Sequence, residues 1–589
     1  MKRIAIVEKE KCVLGKRCEF LCGKYCPVNK AKQDCIIIKN KKPVINEELC
    51  TGCGICVKRC PAHCIHIIRL PDVLDKDPVH RHGINGFELY GLPLPKKGKI
   101  IGLVGKNGIG KTTSINILTG NIHPNFGRIE NPPNEQEIIE KYSGTILAKY
   151  FEDLFGNRIR IAHKPQRIDL IPRIYKGKVM DLINKVDESG KGEEMLEKFN
   201  LVKKKSMEIS KLSGGELQKL AIIGTVIKKA DLYFFDEPSS FLDVTTRMMV
   251  AKLIKNLSKE NNSIIVVEHD LTTLDYISDE IQVVYGVPAC YGAISQPKTT
   301  NKGINEYLDG YLPEDNVRFR SYSIKFFKGV SRKTTSQEIL LEFPKMSKSF
   351  DGFKLEVNKG LVHKGEIMAV MGANGLGKTT FLRLLTGELK PDEGTLNKYK
   401  IAYKPQYLSY DIKGTVREFL IKAAKDKFSS GWYKQNILEK LGLGKILDNE
   451  IKDLSGGELQ KTYIALTLSR DCEIFAFDEP SAFIDVEDRL IVAEVIKDFI
   501  LNKEACAIVV DHDVQFIDYI GDSMLVFSGI PGKEGHVFGP CSKEEGMNTV
   551  LKMLDVTYRH DKETFRPRIN KPGSRLDRLQ RKEGKYYYT

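Results

Sequence analysis

The sequence predicts a multidomain α/β chain in which a small cysteine-rich head precedes two copies of one α/β domain. Three observations predict it. Ten of the 14 cysteines fall between Cys12 and Cys64. Five sequence blocks from the first half return in the same order in the second, the mark of a repeated domain. In each copy an apolar run of strand length leads into a glycine-rich loop, and a helical pattern follows.

Composition sets the outer limits. The 589 residues suggest about four domains, at roughly 150 residues each. With 41% hydrophobic and 29% charged residues, the chain is neither disordered nor collagen-like. No apolar run approaches the ~18 to 20 residues of a membrane-spanning helix. The opening MKRIAIVEKEKC returns to charge after four apolar residues, so no secretory signal is expected. The expectation is a cytoplasmic protein with no membrane. Net charge is +15 and unevenly placed. Residues 1–70 carry +9 and residues 559–589 carry +6, so the body between them is neutral. Two basic ends suggest an acidic partner such as RNA; solvated surface is the plainer reading.

Residues 1–76 form the head. An intracellular chain rarely uses such a cysteine cluster for disulfides, so metal binding is expected. Cys50, Cys53, Cys56 and Cys60 precede a proline as C-x2-C-x2-C-x3-C-P, the bacterial ferredoxin run. Upstream, Cys12, Cys18, Cys22 and Cys26 form a looser run, C-x5-C-x3-C-x3-C-P. In two-cluster ferredoxins the fourth cysteine of each run serves the other cluster. That assigns Cys50, Cys53, Cys56 and Cys26 to one [4Fe–4S] cluster, and Cys12, Cys18, Cys22 and Cys60 to a second. Cys35 and Cys64 are left over. A ferredoxin-like α+β head is expected, with zinc the alternative metal for soft thiolates.

The repeat follows, at 77–300 and 339–545. GKNGIGKT returns as GANGLGKT, HKPQ as YKPQ, LSGGELQ unchanged, YFFDEPSSFLD as FAFDEPSAFID, and IIVVEHD as AIVVDHD. Both glycine-rich loops fit GxxxxGK[ST], whose glycines let backbone N–H groups close around phosphates. Gly105, Lys106, Asn107, Gly108, Gly110 and Thr113 form the first loop with Lys111 and Thr112; Gly372, Ala373, Asn374, Gly375, Gly377 and Thr380 form the second with Lys378 and Thr379. The lysines would reach the β- and γ-phosphates of ATP, and Thr112 and Thr379 would place hydroxyls on Mg²⁺. Asp236 and Asp478 end apolar strands, where they would hold Mg²⁺ through water. Glu237 and Glu479 would polarise the attacking water. Gln166 and Gln406 would sense the metal and the γ-phosphate, and His269 and His512 lie at strand ends within reach of that phosphate. Phe87, and Phe350 or Phe353, would stack on adenine, core packing being the alternative.

Spacing separates the copies. Gly105 to Gln166 spans 61 positions, but Gly372 to Gln406 only 34. The excess holds EQEIIEKYSGTILAKYFEDLFGN, whose helical spacing is broken by Ser-Gly, so a helix–turn–helix insert is expected at about 134–160. Residues 301–338 read as an ordered linker, and 546–589 as a basic C-terminal segment.

These blocks resemble the nucleotide-binding domains of the ATP-binding cassette superfamily, and LSGGELQ resembles its signature. The resemblance implies two domains paired head to tail, an internal pseudo-dimer within a monomer. Each ATP would lie between one domain's phosphate loop and the other's signature. Ser455, Gly456 and Gly457 would close the first site; Ser213, Gly214 and Gly215 would close the second. Both copies keep the glutamate and the histidine, so hydrolysis to ADP and phosphate is expected at both. The whole chain, with its YGVPACYG and GYLPEDNVRFR linker and RPRINKPGSR tail, resembles one family: the ribosome-recycling ATPases of archaea and eukaryotes, subfamily E of the cassette proteins, the RNase L inhibitor family. Two departures are a five-residue first cysteine gap where that family usually has four, and His82 where it often has an aromatic residue. The family implies splitting of ribosomes after termination or stalling, with a release factor or its Pelota-type paralogue, and retention on the small subunit and its rRNA. It also implies that the linker and the basic tail act as hinges and that ATP closure moves the metal head. An ATP-coupled iron–sulfur electron carrier is the alternative.

Overall fold

The structure is a computed structural model; it describes residues 3–15, 18–74, 76–326, 337–350 and 352–587. Part of the linker reading, at 327–336, and the last two residues of the tail lie outside these. The head is built from pieces too short to bury a large core. Strands Arg3–Val7 and Ile65–Arg69 pair antiparallel, Ile36–Lys39 and Lys42–Ile45 form a hairpin, and three helices of four or five residues carry the cysteine runs.

The two lobes share one sheet order. In the first, parallel strands Ile161–Lys164, Leu232–Asp236, Ser263–Val267, Ile100–Val104 and Glu280–Val287 lie side by side, and an antiparallel extension, Tyr291–Ile294, follows. In the second, Ile401–Lys404, Ile474–Asp478, Cys506–Val510, Ile367–Gly372 and Ser523–Ile530 repeat the order, with Glu534–Ser542 as the extension. The central strands LYFFD, SIIVV and IIGLV are buried at every residue. Parallel strands covered on both faces take such unbroken apolar runs.

The insert in the first lobe is a helix pair, Glu135–Lys141 and Ile146–Phe155. Asn134 starts it by accepting the Glu137 N–H at 2.9 Å, and Gly144 makes the turn at φ +78°. Its apolar face, Ile138, Leu147, Tyr150 and Phe151, packs into the lobe, while Ile146 is exposed.

Linker and tail fold against both lobes. The helix Thr300–Asp309 packs on strand Glu280–Val287, and Lys543–Met553 packs on Ser523–Ile530. Beyond them, Arg320 reaches Glu487 of the second lobe at 3.3 Å. Arg566 and Arg568 reach Asp275 of the first lobe at 3.4 and 2.8 Å. The basic tail is thus divided in use. Arg566, Arg568 and Arg581 are paired with carboxylates of this chain, whereas Lys571, Arg575, Lys582 and Lys585 are exposed.

Asp275 is the one to remove. Its carboxylate is buried, and Arg566 beside it is fully buried. Asp275→Asn strands a buried guanidinium, which costs about 3–5 kcal/mol. The expected result is a rise on the order of 10²–10³-fold in amide hydrogen exchange across residues 558–569. Unchanged protection there would show that the tail is held by something else.

Candidate functional site: two phosphate sites and a thiol-lined head

Each phosphate loop wraps from a buried strand into a helix. Gly110 and Gly377 cap helices Lys111–Leu118 and Lys378–Leu385 at φ +91°, a conformation open to glycine. A Cβ on Gly110 would sit 2.7 Å from the Phe87 ring, and one on Gly377 3.0 Å from the Phe353 ring. Phe353 therefore matches Phe87 in the repeat. Phe350, paired with Phe353 across the strand turn, is 44% exposed. Lys111 Nζ donates to the Gly105 and Lys106 carbonyls at 2.7 and 2.6 Å. Lys378 does the same to Gly372 and Ala373 at 2.8 and 2.7 Å. Burial lowers both ammonium groups to about 8. An entering phosphate would replace those carbonyl contacts with full charge.

The carboxylates stand where the sequence placed them, at strand ends. Thr112 Oγ1 donates to Asp236 Oδ2 at 3.1 Å, and Thr379 Oγ1 to Asp478 Oδ2 at 2.9 Å. A hydroxyl beside a carboxylate, under a phosphate loop, is an oxygen-donor set that suits Mg²⁺. Glu237 and Glu479 both have φ +49°, an uncommon conformation for a residue with a side chain. Gln166 Nε2 donates to Glu237 Oε1 at 2.6 Å, and Gln406 Nε2 to Glu479 Oε1 at 2.7 Å. His269 and His512 lie 3.5 Å from those glutamates. Both ring nitrogens of each histidine are buried without a hydrogen-bond partner. Native structures rarely leave such groups unpaired, so the cleft is shaped for a ligand rich in hydrogen-bonding oxygen.

The two sites differ in charge. Burial raises Glu479 to about 7, with Asp511 and Asp478 adding like charge. Burial acts on Glu237 as well, but His269 and Lys111 outweigh it and hold the carboxyl at about 2. A general base must be ionised, and kcat/KM reports the free enzyme. With Glu237→Gln silencing the first site, kcat/KM for ATP is expected to rise about fivefold from pH 6 to 7 as Glu479 ionises, and then to level off as Lys378, lowered to about 8, begins to lose its proton. With Glu479→Gln, the remaining profile is expected to change only about twofold from pH 6 to 7 as Asp236, raised by burial to about 6, completes its ionisation, and to fall about twofold by pH 8 as Lys111 loses its proton. Steady-state ATPase assays of both variants check this, and superimposable profiles would contradict it.

One cleft holds both sites. It is lined by both phosphate loops and by Ser213, Gly214, Gly215, Ser455, Gly456 and Gly457. Each signature serine caps its helix by accepting the N–H of a glutamate three residues on. The lobes touch across the cleft. Asp243 Oδ2 accepts the Asn374 N–H at 2.9 Å, Asp485 accepts that of Asn107, and the rings of Phe241 and Phe483 meet at 5.4 Å. Lys106 of the first loop reaches Glu487 at 3.1 Å.

Sequence reasoning missed residues inside its own motifs. Lys164 and Lys404, of HKPQ and YKPQ, are fully buried and donate to the Asp236 and Asp478 carbonyls at 2.7 Å. Their recurrence beside the glutamines was the available signal. It also missed Asn85, for which no repeat gave a signal. This buried side chain accepts the Ile45 N–H at 2.8 Å and donates to the Ala5 and Ile45 carbonyls at 2.9 Å. Asn85 thus fastens the head to the 82–87 loop, which carries His82 and Phe87 to the edge of the first site. Arg81 and Glu47 add an ion pair at 2.6 Å.

In the head, the thiols line two separate cavities. Cys26, Cys50, Cys53 and Cys56 face one together with Cys35; Cys12, Cys18, Cys22 and Cys60 face the other together with Cys64. Apart from Thr51, the remaining lining is glycine and apolar or proline side chains. Among the described residues no group of three or more histidine, cysteine or acidic side chains closes around a single ion.

A family model described as ABC transporter matches residues 95–240 and 356–482, and one described as 4Fe-4S binding domain matches residues 43–66. Over its whole length the chain is 41% identical to translation initiation factor RLI1 of Saccharomyces cerevisiae, covering 98% of it. It is 40% identical to ABC transporter E family member 1 of Arabidopsis thaliana, covering 99% of that protein. The chain belongs to subfamily E of the ATP-binding cassette proteins. A solved structure described as a model of ribosome-bound archaeal Pelota and ABCE1 is 46% identical, with a TM-score of 0.93 over 100% of this chain and 99% of that one. Another, the complex of archaeal ribosomal stalk protein aP1 with archaeal ribosome recycling factor aABCE1, is 47% identical, with a TM-score of 0.83 over 88% of this chain and 100% of that one. As a member of this subfamily the chain is an ATPase with an iron–sulfur head. No helix among the described residues is long and apolar enough to cross a membrane.

Proposed function

We propose that this ATPase recycles ribosomes, splitting them into subunits after termination or stalling together with a release factor or Pelota-type partner, and then staying on the small subunit. The observation that carries this reading is the junction at Asn85. One loop, 82–87, borders the first ATP site and holds the head through three hydrogen bonds of a buried amide. A change at the nucleotide is therefore passed to the head through backbone rather than through a flexible tether. ATP would draw each phosphate loop onto the opposite signature, whose serine and helix N-terminus suit an anion. Hydrolysis removes that bridge.

In this reading Thr112 with Asp236, and Thr379 with Asp478, hold Mg²⁺ at the two sites, with Gln166 and Gln406 completing the contacts. Ser213 and Ser455 each serve the opposite lobe's nucleotide, and Phe87 lies against adenine. Cys26, Cys50, Cys53 and Cys56 hold one [4Fe–4S] cluster, and Cys12, Cys18, Cys22 and Cys60 a second. The clusters give a 76-residue head the rigidity that its small core does not supply. The helix–turn–helix insert and the exposed lysines and arginines of the tail would contact rRNA phosphates.

The test is a splitting assay. Anaerobically purified protein is mixed with ribosomes, a Pelota-type factor and ATP, and subunits are resolved on a sucrose gradient. Subunits that appear only with ATP and the factor support the proposal. ATP turnover without ribosome binding would sink it and favour an ATP-coupled electron carrier.

A further inference from the structure

The two nucleotide sites repeat one another, but one contact between the lobes joins residues that the repeat does not duplicate. Glu487 stands two residues after Asp485, in the first turn of helix Val486–Asn502 of the second lobe, and is 6% exposed. Its carboxylate accepts from three donors. Lys106 Nζ, on the first phosphate loop, lies 3.1 Å from both oxygens. Arg320 Nη1 reaches Oε2 at 3.3 Å, and the Tyr322 hydroxyl donates to Oε1. Arg320 and Tyr322 belong to the linker. Arg320 is fixed on the first lobe's side, because its guanidinium also donates to the Tyr307 and Leu308 carbonyls of helix Thr300–Asp309, which packs on strand Glu280–Val287. A carboxylate of the second lobe is thus inserted between two cations, one on the first lobe and one on its linker. In the repeat, Ala373 takes the place of Lys106, and Thr245, which is exposed, takes that of Glu487. Those positions carry neither charge.

We propose that Glu487 is a positioning residue, a one-sided latch through which the linker holds the first phosphate loop against the second lobe and lengthens the stay of nucleotide in the first site. The inference rests on the composite sites proposed above. The contacts of Asp243 with Asn374 and of Asp485 with Asn107 act on both loops alike. The latch acts on the first loop alone. A carboxylate this buried, held in place by a guanidinium and a hydroxyl, binds its lysine more firmly than an exposed pair does. Tyr322 does not line the nucleotide cleft, whereas Lys106 and Glu487 do. The linker therefore reaches the nucleotide through Glu487 and Lys106.

Site-resolved retention of nucleotide tests this. Full-length protein carrying Glu237→Gln and Glu479→Gln is loaded with radiolabelled 8-azido-ATP and Mg²⁺, chased with unlabelled ATP and irradiated at intervals. Label in peptides from 77–300 reports the first site, and label in peptides from 339–545 the second. Failure of this background to retain label would defeat the composite-site reading, and the inference with it. Given retention, Lys106→Met is expected to release first-lobe label about fivefold to tenfold faster, with second-lobe label within about twofold of the background. Tyr322→Phe is expected to release first-lobe label about threefold faster, and to add nothing once Lys106→Met is present. Lys106→Met leaves Glu487 paired with Arg320, so its thermal unfolding, followed by circular dichroism, is expected to match the background. The inference is overturned if Lys106→Met leaves first-lobe release unchanged, if both lobes release faster alike, or if Tyr322→Phe is silent alone or still adds to Lys106→Met.

Discussion

Replacing Glu237 and Glu479 together by glutamine is expected to lower ATP turnover by about 10²–10⁴-fold, the range of a lost general base, while ATP binding persists. Each glutamate is held by an uncommon backbone conformation, φ +49°, with its carboxylate bonded to a Gln Nε2 and 3.5 Å from a buried histidine. Glutamine fits the same space, so the phosphate loop, the Thr–Asp pair and the opposing signature are left as they are. The amide cannot accept a proton from water. ATP therefore stays bound between the lobes, and closure outlasts many turnovers of the parent. Each single variant silences one site and leaves the other. Retained turnover in the double variant, measured by phosphate release, would remove both glutamates from the chemistry. Trapped nucleotide, measured by filter binding with labelled ATP, separates loss of chemistry from loss of binding.

Much of this site was legible because it is written twice. A single phosphate-loop pattern is a weak sign, but GKNGIGKT and GANGLGKT, each followed by matching KPQ, LSGGELQ and DEP blocks, fix which residues belong together. The structure then brings Thr112 to Asp236, Gln166 to Glu237 and His269 to the same carboxylate, with equivalent contacts in the second copy. The insert was legible from a length difference and a helical spacing. Side chains whose role lies between elements were not. Lys164 bonds to backbone carbonyls more than 70 residues away, and no local pattern marks that. Asn85 lies outside every repeated block, yet it joins two domains. The charge of the tail was misleading for the same reason: sequence counts Arg566 and Arg568 as free positive charge, whereas both are spent on Asp275. Cys35 and Cys64 looked spare because the ferredoxin spacing has no place for them. Only the fold shows that each faces a cavity.

The second large effect separates the two halves of the proposed function. Cys53→Ala is expected to reduce ribosome splitting to the level seen without ATP, while leaving ATP turnover within about twofold of the parent, as for sites that share no partner. Cys53 is the exposed member of its cavity, and the buried fifth thiol of that cavity lies against Cys26 and Cys50 instead. In the proposed two-cluster reading, loss of Cys53 therefore opens a cluster corner that no sulfur refills. The head then loses part of its staple and with it the rigidity needed to push between subunits. The ATP sites are built from Lys111, Asp236, Glu237 and their second-lobe equivalents, none of which touches Cys53. Turnover thus has its own support. Asn85→Ala is the companion variant: the cluster stays loaded, but the head is held to the 82–87 loop only by the Val7 N–H bond to the backbone carbonyl of residue 85 and by the neighbouring Arg81–Glu47 pair. If movement of the head is what splits ribosomes, the two variants fail alike in the gradient assay, one with an empty corner and one with a full cluster. If Asn85→Ala splits normally, the head acts by its presence rather than by its attachment to the ATP site. If Cys53→Ala splits normally, the head is dispensable and the force arises between the ATPase lobes themselves.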